Sequence, residues 1–151
     1  MQDIKEKAKN YAFLLLKFRP RSEREITWRL KKKKFDPEII SQTVAFLKEK
    51  KFIDDNYFAS AWIESRLKRP LGLRRIRQEL AAKGIAKEII DSEIGRIKEN
   101  YSEDGVIKGL ALKKFKTLKG LDPQKAKSRV FAYLVRRGFS PQTVMDTLNQ
   151  L

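Results

Sequence analysis

The sequence predicts an all-α fold: three tandem three-helix repeats stacked into an elongated, curved helical array. Three observations carry this expectation. A hydrophobic skeleton recurs three times, helix-capping signals fall at matching places within it, and no apolar–polar alternation of strand type occurs. The skeleton places Ile26, Leu30, Phe35, Ile39, Ile40, Val44 and Leu47 at offsets 0, 4, 9, 13, 14, 18 and 21. The same offsets from Ile76 give Leu80, Ile85, Ile89, Ile90, Ile94 and Ile97. From Val130 they give Leu134, Phe139, Thr143, Val144, Leu148 and Leu151, with Thr143 the one position that is not Ile, Leu, Val or Phe. Repeats of this length mark architectures in which one unit cannot bury its apolar face alone and neighbours complete the core. The spacing sets repeats at 1–51, 52–101 and 102–151.

Each repeat opens with a leading helix. The first is expected over 3–18, with Ala8, Tyr11, Ala12, Leu15 and Phe18 at helical spacing; the second over 55–68, with Phe58, Ala59, Trp62, Ile63 and Leu67; the third over 103–118, with Ile107, Leu110, Ala111, Phe115 and Leu118. Ser22 followed by Glu25 is a capping box and starts a second helix running over Glu23–Lys34. Asp36–Pro37, Asp122–Pro123 and Ser140–Pro141 each pair an N-cap residue with proline at N1, where a missing N–H costs nothing. Gly84 and Gly138 precede the offset-9 hydrophobe, where a helix end can turn left-handed. Lys34 stands there in the first repeat and predicts a turn that is less comfortable or differently built. The stretches 69–72 and 119–123 read as connecting loops.

Charge is the second constraint. The chain carries 35 basic and 19 acidic side chains, a net +16. The three repeats hold +8, +2 and +6 in order. A balance of this size favours an anionic partner: nucleic acid, nucleoprotein, an acidic protein face or anionic lipid. There is no cysteine and no histidine, which excludes disulfides, thiolate chemistry and the commonest general base. No glycine-rich phosphate loop, nucleophile–base set or metal-ligand cluster is present, so a non-enzyme without cofactor or metal is expected. No apolar run is long enough to span a bilayer and no secretory signal layout appears, so a cytoplasmic, non-membrane protein is expected.

Asp54–Asp55 is the one adjacent acidic pair. It could hold a divalent ion as in a nuclease, but its place before a helix predicts capping instead. The basic residues are the stronger candidates. Arg74 and Arg77 project from one flank of the Leu73–Ile76–Leu80 stripe and Arg75 from the other. Lys125, Arg129, Tyr133 and Arg136 fall near one face, a mixture suited to phosphate contact and stacking. Arg29 and the run Lys31–Lys34 crowd the end of the second helix. Lys33, Lys83 and Arg137 share offset 7 in a last helical turn, where the helix dipole alone accounts for a cation. Trp28 and Trp62 are expected in the core.

The run Ile53-Asp54-Asp55-Asn56-Tyr57-Phe58-Ala59 is followed by Gly72, Arg75-Ile76, Glu79-Leu80 and Lys83-Gly84-Ile85, with Arg19-Pro20-Arg21-Ser22-Glu23 and Glu25-Ile26 upstream. This ordered set resembles the RecX family of bacterial recombinase regulators. The likeness is densest over residues 11–95 and extends through Val130, Leu134, Arg137-Gly138-Phe139 and Val144. Lys34 departs from the glycine usual in that family at the first turn. The resemblance implies three tandem three-helix units, binding in the groove of the RecA filament, and modulation of its ATPase, strand-exchange and coprotease functions, usually by inhibition. It also implies DNA binding. The expected partners are therefore the RecA filament and single- or double-stranded DNA, met by a monomer through Arg24, Arg29, Lys32, Arg74, Arg77, Lys125, Arg129 and Arg136. The alternative expectation is a sequence-nonspecific DNA-binding repeat protein with helix-turn-helix-like units.

Overall fold

The computed structural model describes residues 2–151, and among them nine helices and no strand. The first repeat holds α1 (Gln2–Phe18), α2 (Glu23–Lys32) and α3 (Pro37–Glu49). The second holds α4 (Asp55–Leu67), α5 (Leu73–Ala82) and α6 (Lys87–Lys98), and the third α7 (Glu103–Thr117), α8 (Pro123–Arg136) and α9 (Pro141–Asn149). All but Leu151 of the skeleton positions are buried or half-buried. The periodicity is thus the imprint of a packed core.

The chain forms two compact units. One comprises the residues through Trp62 together with Leu80–Glu93; the other comprises Ile63–Glu79 with Ile94–Leu151. The middle repeat contributes to both. In the first unit α1, α2 and α3 pack on one another around Ala8, Ala12, Leu15, Ile26, Leu30 and Leu47. In the second, α7, α8 and α9 enclose Ile107, Ala111, Val130, Leu134, Phe139 and Val144. The small residues Ala12 and Ala111 have no exposed surface, which lets the flanking helices approach closely.

The capping signals act in two ways. Ser22 and Glu25 close a full capping box: the Ser22 hydroxyl accepts from Glu25 N–H (3.2 Å) and the Glu25 carboxylate accepts from Ser22 N–H (3.3 Å). Asp122 accepts from the N–H groups of Gln124 and Lys125 (3.2 and 3.4 Å). Asp54 caps α4, accepting from Asn56 and Tyr57 N–H (3.0 and 3.2 Å). Asp36 and Ser140 hold the N-cap position without a side-chain capping bond. There the proline at N1 fixes the helix start, and the cap carbonyls accept from Ile40 and Val144 N–H.

Four expectations are corrected. Helix α2 stops at Lys32 instead of Lys34, because Lys34 itself turns left-handed at φ 64°, the conformation Gly84 and Gly138 take at φ 83° and 97°. The first turn is therefore built like the others despite its lysine. Trp28 is 55% exposed, not in the core. It stands two residues from both Ile26 and Leu30, and that spacing puts it on the opposite side of α2. Phe18 is 75% exposed, since α1 ends at that residue and the apolar stripe outruns the core it packs against. Trp62 is half-buried, its ring stacked on Phe58 at 5.9 Å between centroids.

Candidate anion and partner interface

A junction pattern occurs twice, once in each unit. The residue four positions before the skeleton start bonds the offset-7 carbonyl of the following repeat. In the first unit Ser22 Oγ donates to Lys83 O (2.7 Å); in the second Gly72 N–H donates to Arg137 O (2.9 Å). The next residue donates its N–H to the carboxylate that begins the following leading helix. Glu23 N–H reaches Asp55 Oδ1 (2.9 Å), and Leu73 N–H reaches Glu103 Oε2 (3.4 Å). Each carboxylate thus satisfies an N–H that α2 or α5 leaves open at its start.

The second junction is the closer of the two. Arg75 N–H donates to Gly138 O (3.3 Å), and the Arg137 guanidinium donates to Pro70 O (Nε, 3.2 Å) and Arg69 O (Nη2, 2.9 Å). A Cβ on Gly72 would stand 2.1 Å from the Gly138 carbonyl carbon, and one on Gly138 would stand 2.1 Å from Arg75 Cβ. At the first junction a Cβ on Gly84 would stand 2.1 Å from Arg24 Cδ, so that arginine's stem lies across the turn.

These contacts set the electrostatics. Burial pushes the Asp55 and Glu103 carboxyls above their ordinary values, against the pull of the N–H bonds from Glu23 and Leu73. Burial also acts to raise Glu25. Hydrogen bonds from Arg19 (2.6 Å) and Ser22 N–H, with the nearby Lys83 charge, outweigh it and hold Glu25 below its ordinary value.

An open hollow lies at each junction. The first, of about 310 Å³, is lined by Arg24, Glu25, Trp28, Ala82 and Lys83. The second, of about 420 Å³, is lined by Arg74, Arg75, Gln78, Val135, Arg136 and Gly138. The two draw on equivalent offsets, yet the second has an arginine where the first has Glu25. Arg75, expected opposite Arg74, therefore shares its hollow, while Arg77 is half-buried and not part of the lining.

The remaining candidates are dispersed. Arg29 donates through Nε to Tyr11 OH (3.3 Å), and Lys32 Nζ stands 4.4 Å above the exposed Trp28 ring. Lys125 and Arg129 are exposed on α8, but Tyr133 on that face is half-buried, with Lys114 and Arg137 over its ring at 4.8 and 5.5 Å. The offset-7 cations do more than answer a dipole: Lys33 lies over Tyr11 (5.2 Å) and Lys83 over Trp62 (5.3 Å). Sequence reasoning missed Arg75, Asp55 and Glu103 as junction residues; the place of Asp55 and Glu103 as acidic first residues of a leading helix was the available signal. Among the described residues no group of three or more acidic side chains is placed to hold a metal ion, and no helix is long and apolar enough to cross a membrane.

Comparison with known proteins agrees with the repeat. Family models match three consecutive segments: the first three-helix domain of RecX at residues 8–47, the second at 54–92 and the third at 103–148. The regulatory protein RecX of Chlorobium phaeobacteroides is 37% identical over 97% of this chain and 94% of its own length. That of Prosthecochloris aestuarii is 34% identical over 96% and 93%. A crystal structure of RecX from Lactobacillus salivarius superposes with a TM-score of 0.89 over 100% of this chain and 98% of its own, at 19% identity, a likeness of fold.

Proposed function

The chain belongs to the RecX family of regulatory proteins, and from that premise we propose that it binds the filament RecA forms on DNA and restrains recombinase, ATPase and coprotease activity. In this reading it acts in the cytoplasm as a monomer, in DNA repair and recombination, by occupying the filament and without chemistry of its own. The three repeats, 1–51, 52–101 and 102–151, supply successive contacts. Arg24, Arg29, Lys32, Arg74, Arg77, Lys125, Arg129 and Arg136 meet acidic protein faces and exposed phosphate.

The observation that carries this reading is the recurrence of a cation-lined hollow at both repeat junctions, in a chain with net charge +16. A single hollow would suit a small anion; recurrence suits a partner that itself repeats. The test is RecA ATPase on single-stranded DNA. Purified protein is expected to lower it at substoichiometric ratios. An unchanged rate at equimolar ratio and low salt would remove the proposal.

A second reading, binding to naked nucleic acid, is favoured by one feature. Trp28 is exposed beside Arg24 and under Lys32, an aromatic face with cations around it that suits a stacked base. That reading expects equal affinity for bare DNA and for RecA–DNA filaments, with log K falling by about 0.9 per phosphate contact against log salt on duplex.

A further inference from the structure

We infer that the hollow formed by Arg74, Arg75, Arg136 and Gly138 is a phosphate site for the backbone of a nucleic acid strand. The inference rests on the reading that the chain meets nucleic acid or nucleoprotein, and it assigns the phosphate contact to one junction.

The first reason is where the arginines stand. Arg74 and Arg75 are the second and third residues of α5, whose first turn contains no acidic residue. The positive end of a helix dipole favours anions there and disfavours cations. Helix α2 obeys the rule, with Glu23 and Glu25 in its first turn. Helix α5 does the reverse and draws Arg136, the last residue of α8, into the same hollow. Three guanidinium-bearing side chains border one space that no acidic side chain lines. An anion bound in that space would be attracted by all three.

The second reason is the comparison inside the molecule. The equivalent hollow of the first unit contains Glu25 in the position of Arg75, and Glu25 binds Arg19 (2.6 Å) and meets Arg21 (3.9 Å). That hollow carries a carboxylate among its cations. In the second, Glu79 meets Arg75 Nε (3.8 Å) and Arg66 Nε (3.1 Å) without lining the hollow, so it orients Arg75 and leaves the opening cationic.

The third reason is chemistry and access. Guanidinium forks match the paired oxygens of a phosphodiester, which a point-charge ammonium does not. Gly138 has no side chain to obstruct the opening, and its backbone is held by the bond from Arg75 N–H. The hollow is open, so a strand can enter and leave it, and Gln78 is available as a neutral donor at its edge.

The experiment is fluorescence anisotropy of the full chain with labelled oligothymidylate across a salt series. Arg74→Ala with Arg136→Ala is expected to weaken binding and to lower the slope of log K against log salt by about 1.4, two contacts at 0.7 each on a single strand. Arg74→Lys with Arg136→Lys keeps charge and loses the forks: it is expected to restore the slope while affinity stays several-fold below the unsubstituted chain. Lys113→Ala with Lys116→Ala, two cations on exposed α7 sites, is the charge-matched control and is expected to leave the slope within about 0.5 of the original. Circular dichroism melts verify that each variant is folded. A wild-type slope in the folded Arg74/Arg136 double alanine variant, or an equal loss in the control, overturns the site. Competition by oligoglutamate that equals competition by unlabelled DNA, and vanishes in the double variant, assigns the hollow to acidic protein and also overturns it. RecA ATPase measured on the same variants separates the two readings: restraint that survives a lost site leaves the regulatory proposal standing without this phosphate contact.

Discussion

Replacing Gly72 by alanine is the sharpest structural test of the second junction. The new Cβ would stand 2.1 Å from both the carbonyl carbon and oxygen of Gly138 and 2.3 Å from Phe139 N, all backbone atoms. Ordinary contact between carbon atoms is about 3.5 Å, so the start of α5 and the end of α8 must separate by roughly 1.4 Å. That movement stretches Gly72 N–H to Arg137 O, Arg75 N–H to Gly138 O, and both bonds from the Arg137 guanidinium to Arg69 and Pro70. At about 0.5–1.5 kcal/mol for each of the four bonds, the combined cost is about 2–6 kcal/mol. Urea denaturation followed by circular dichroism, with linear extrapolation, reads it. Gly95→Ala is the internal control. Nothing lies within 4 Å of a Cβ there and the residue is inside α6, so alanine should stabilise by about 0.5–1 kcal/mol. A Gly72→Ala variant within 0.5 kcal/mol of the original would refute the close approach of the two turns.

Other consequences follow from the same contacts. Ser22→Ala removes the α2 cap and the bond to Lys83 O together, and should cost about 1.5–3 kcal/mol in the same denaturation assay. Asp55 and Glu103 are held above their ordinary values of 3.8 and 4.5, so their folded forms bind protons more tightly than the unfolded chain does. Their contribution to stability therefore falls as pH rises above those values. Asp55→Asn with Glu103→Gln should flatten that fall above about pH 4; a profile parallel to the original would discount burial as the cause. Glu25 runs the other way. Its lowered pKa gives stability that is present above 4.5 and lost as pH falls, and Glu25→Gln should remove that acid sensitivity in a pH series of melts. Lys83→Met keeps the stem and loses the charge over Trp62, and should cost about 0.5–1 kcal/mol, with no loss expected if Trp62 is already leucine.

Much of the fold was legible because its determinants are local. A capping box, Pro at N1 and a 3.6-residue apolar stripe act within one turn of the chain, and Ser22–Glu25, Asp122–Pro123 and the α1, α4 and α7 stripes fall where they predict. The Lys34 turn is the less comfortable one its sequence predicts, because preference for glycine is a cost and not a prohibition. Its place in the hydrogen-bonded end of α2, with Phe35 N–H reaching Leu30 O, imposes φ 64° on a lysine. Trp28 was legible and overlooked, since the spacing from Ile26 and Leu30 already puts it on the outer side of α2. The junctions were not legible. Glu103 lies 30 residues from Leu73, and Arg137 lies 67 from Pro70, so nothing local announces either bond. The site was half visible for the same reason. The cations Arg74 and Arg136 stand out in sequence, but that Arg75 joins them and Glu25 replaces it in the first unit depends on the junction geometry.

The central claim is preference for the nucleoprotein filament over its separate parts. Binding of the labelled full chain to RecA–single-stranded DNA filaments, locked with a non-hydrolysable nucleotide, should be compared with binding to the same DNA without RecA at one salt concentration. At least tenfold tighter binding to the filament is the result expected of a filament regulator. Equal affinities would contradict that account and leave a protein that recognises nucleic acid alone.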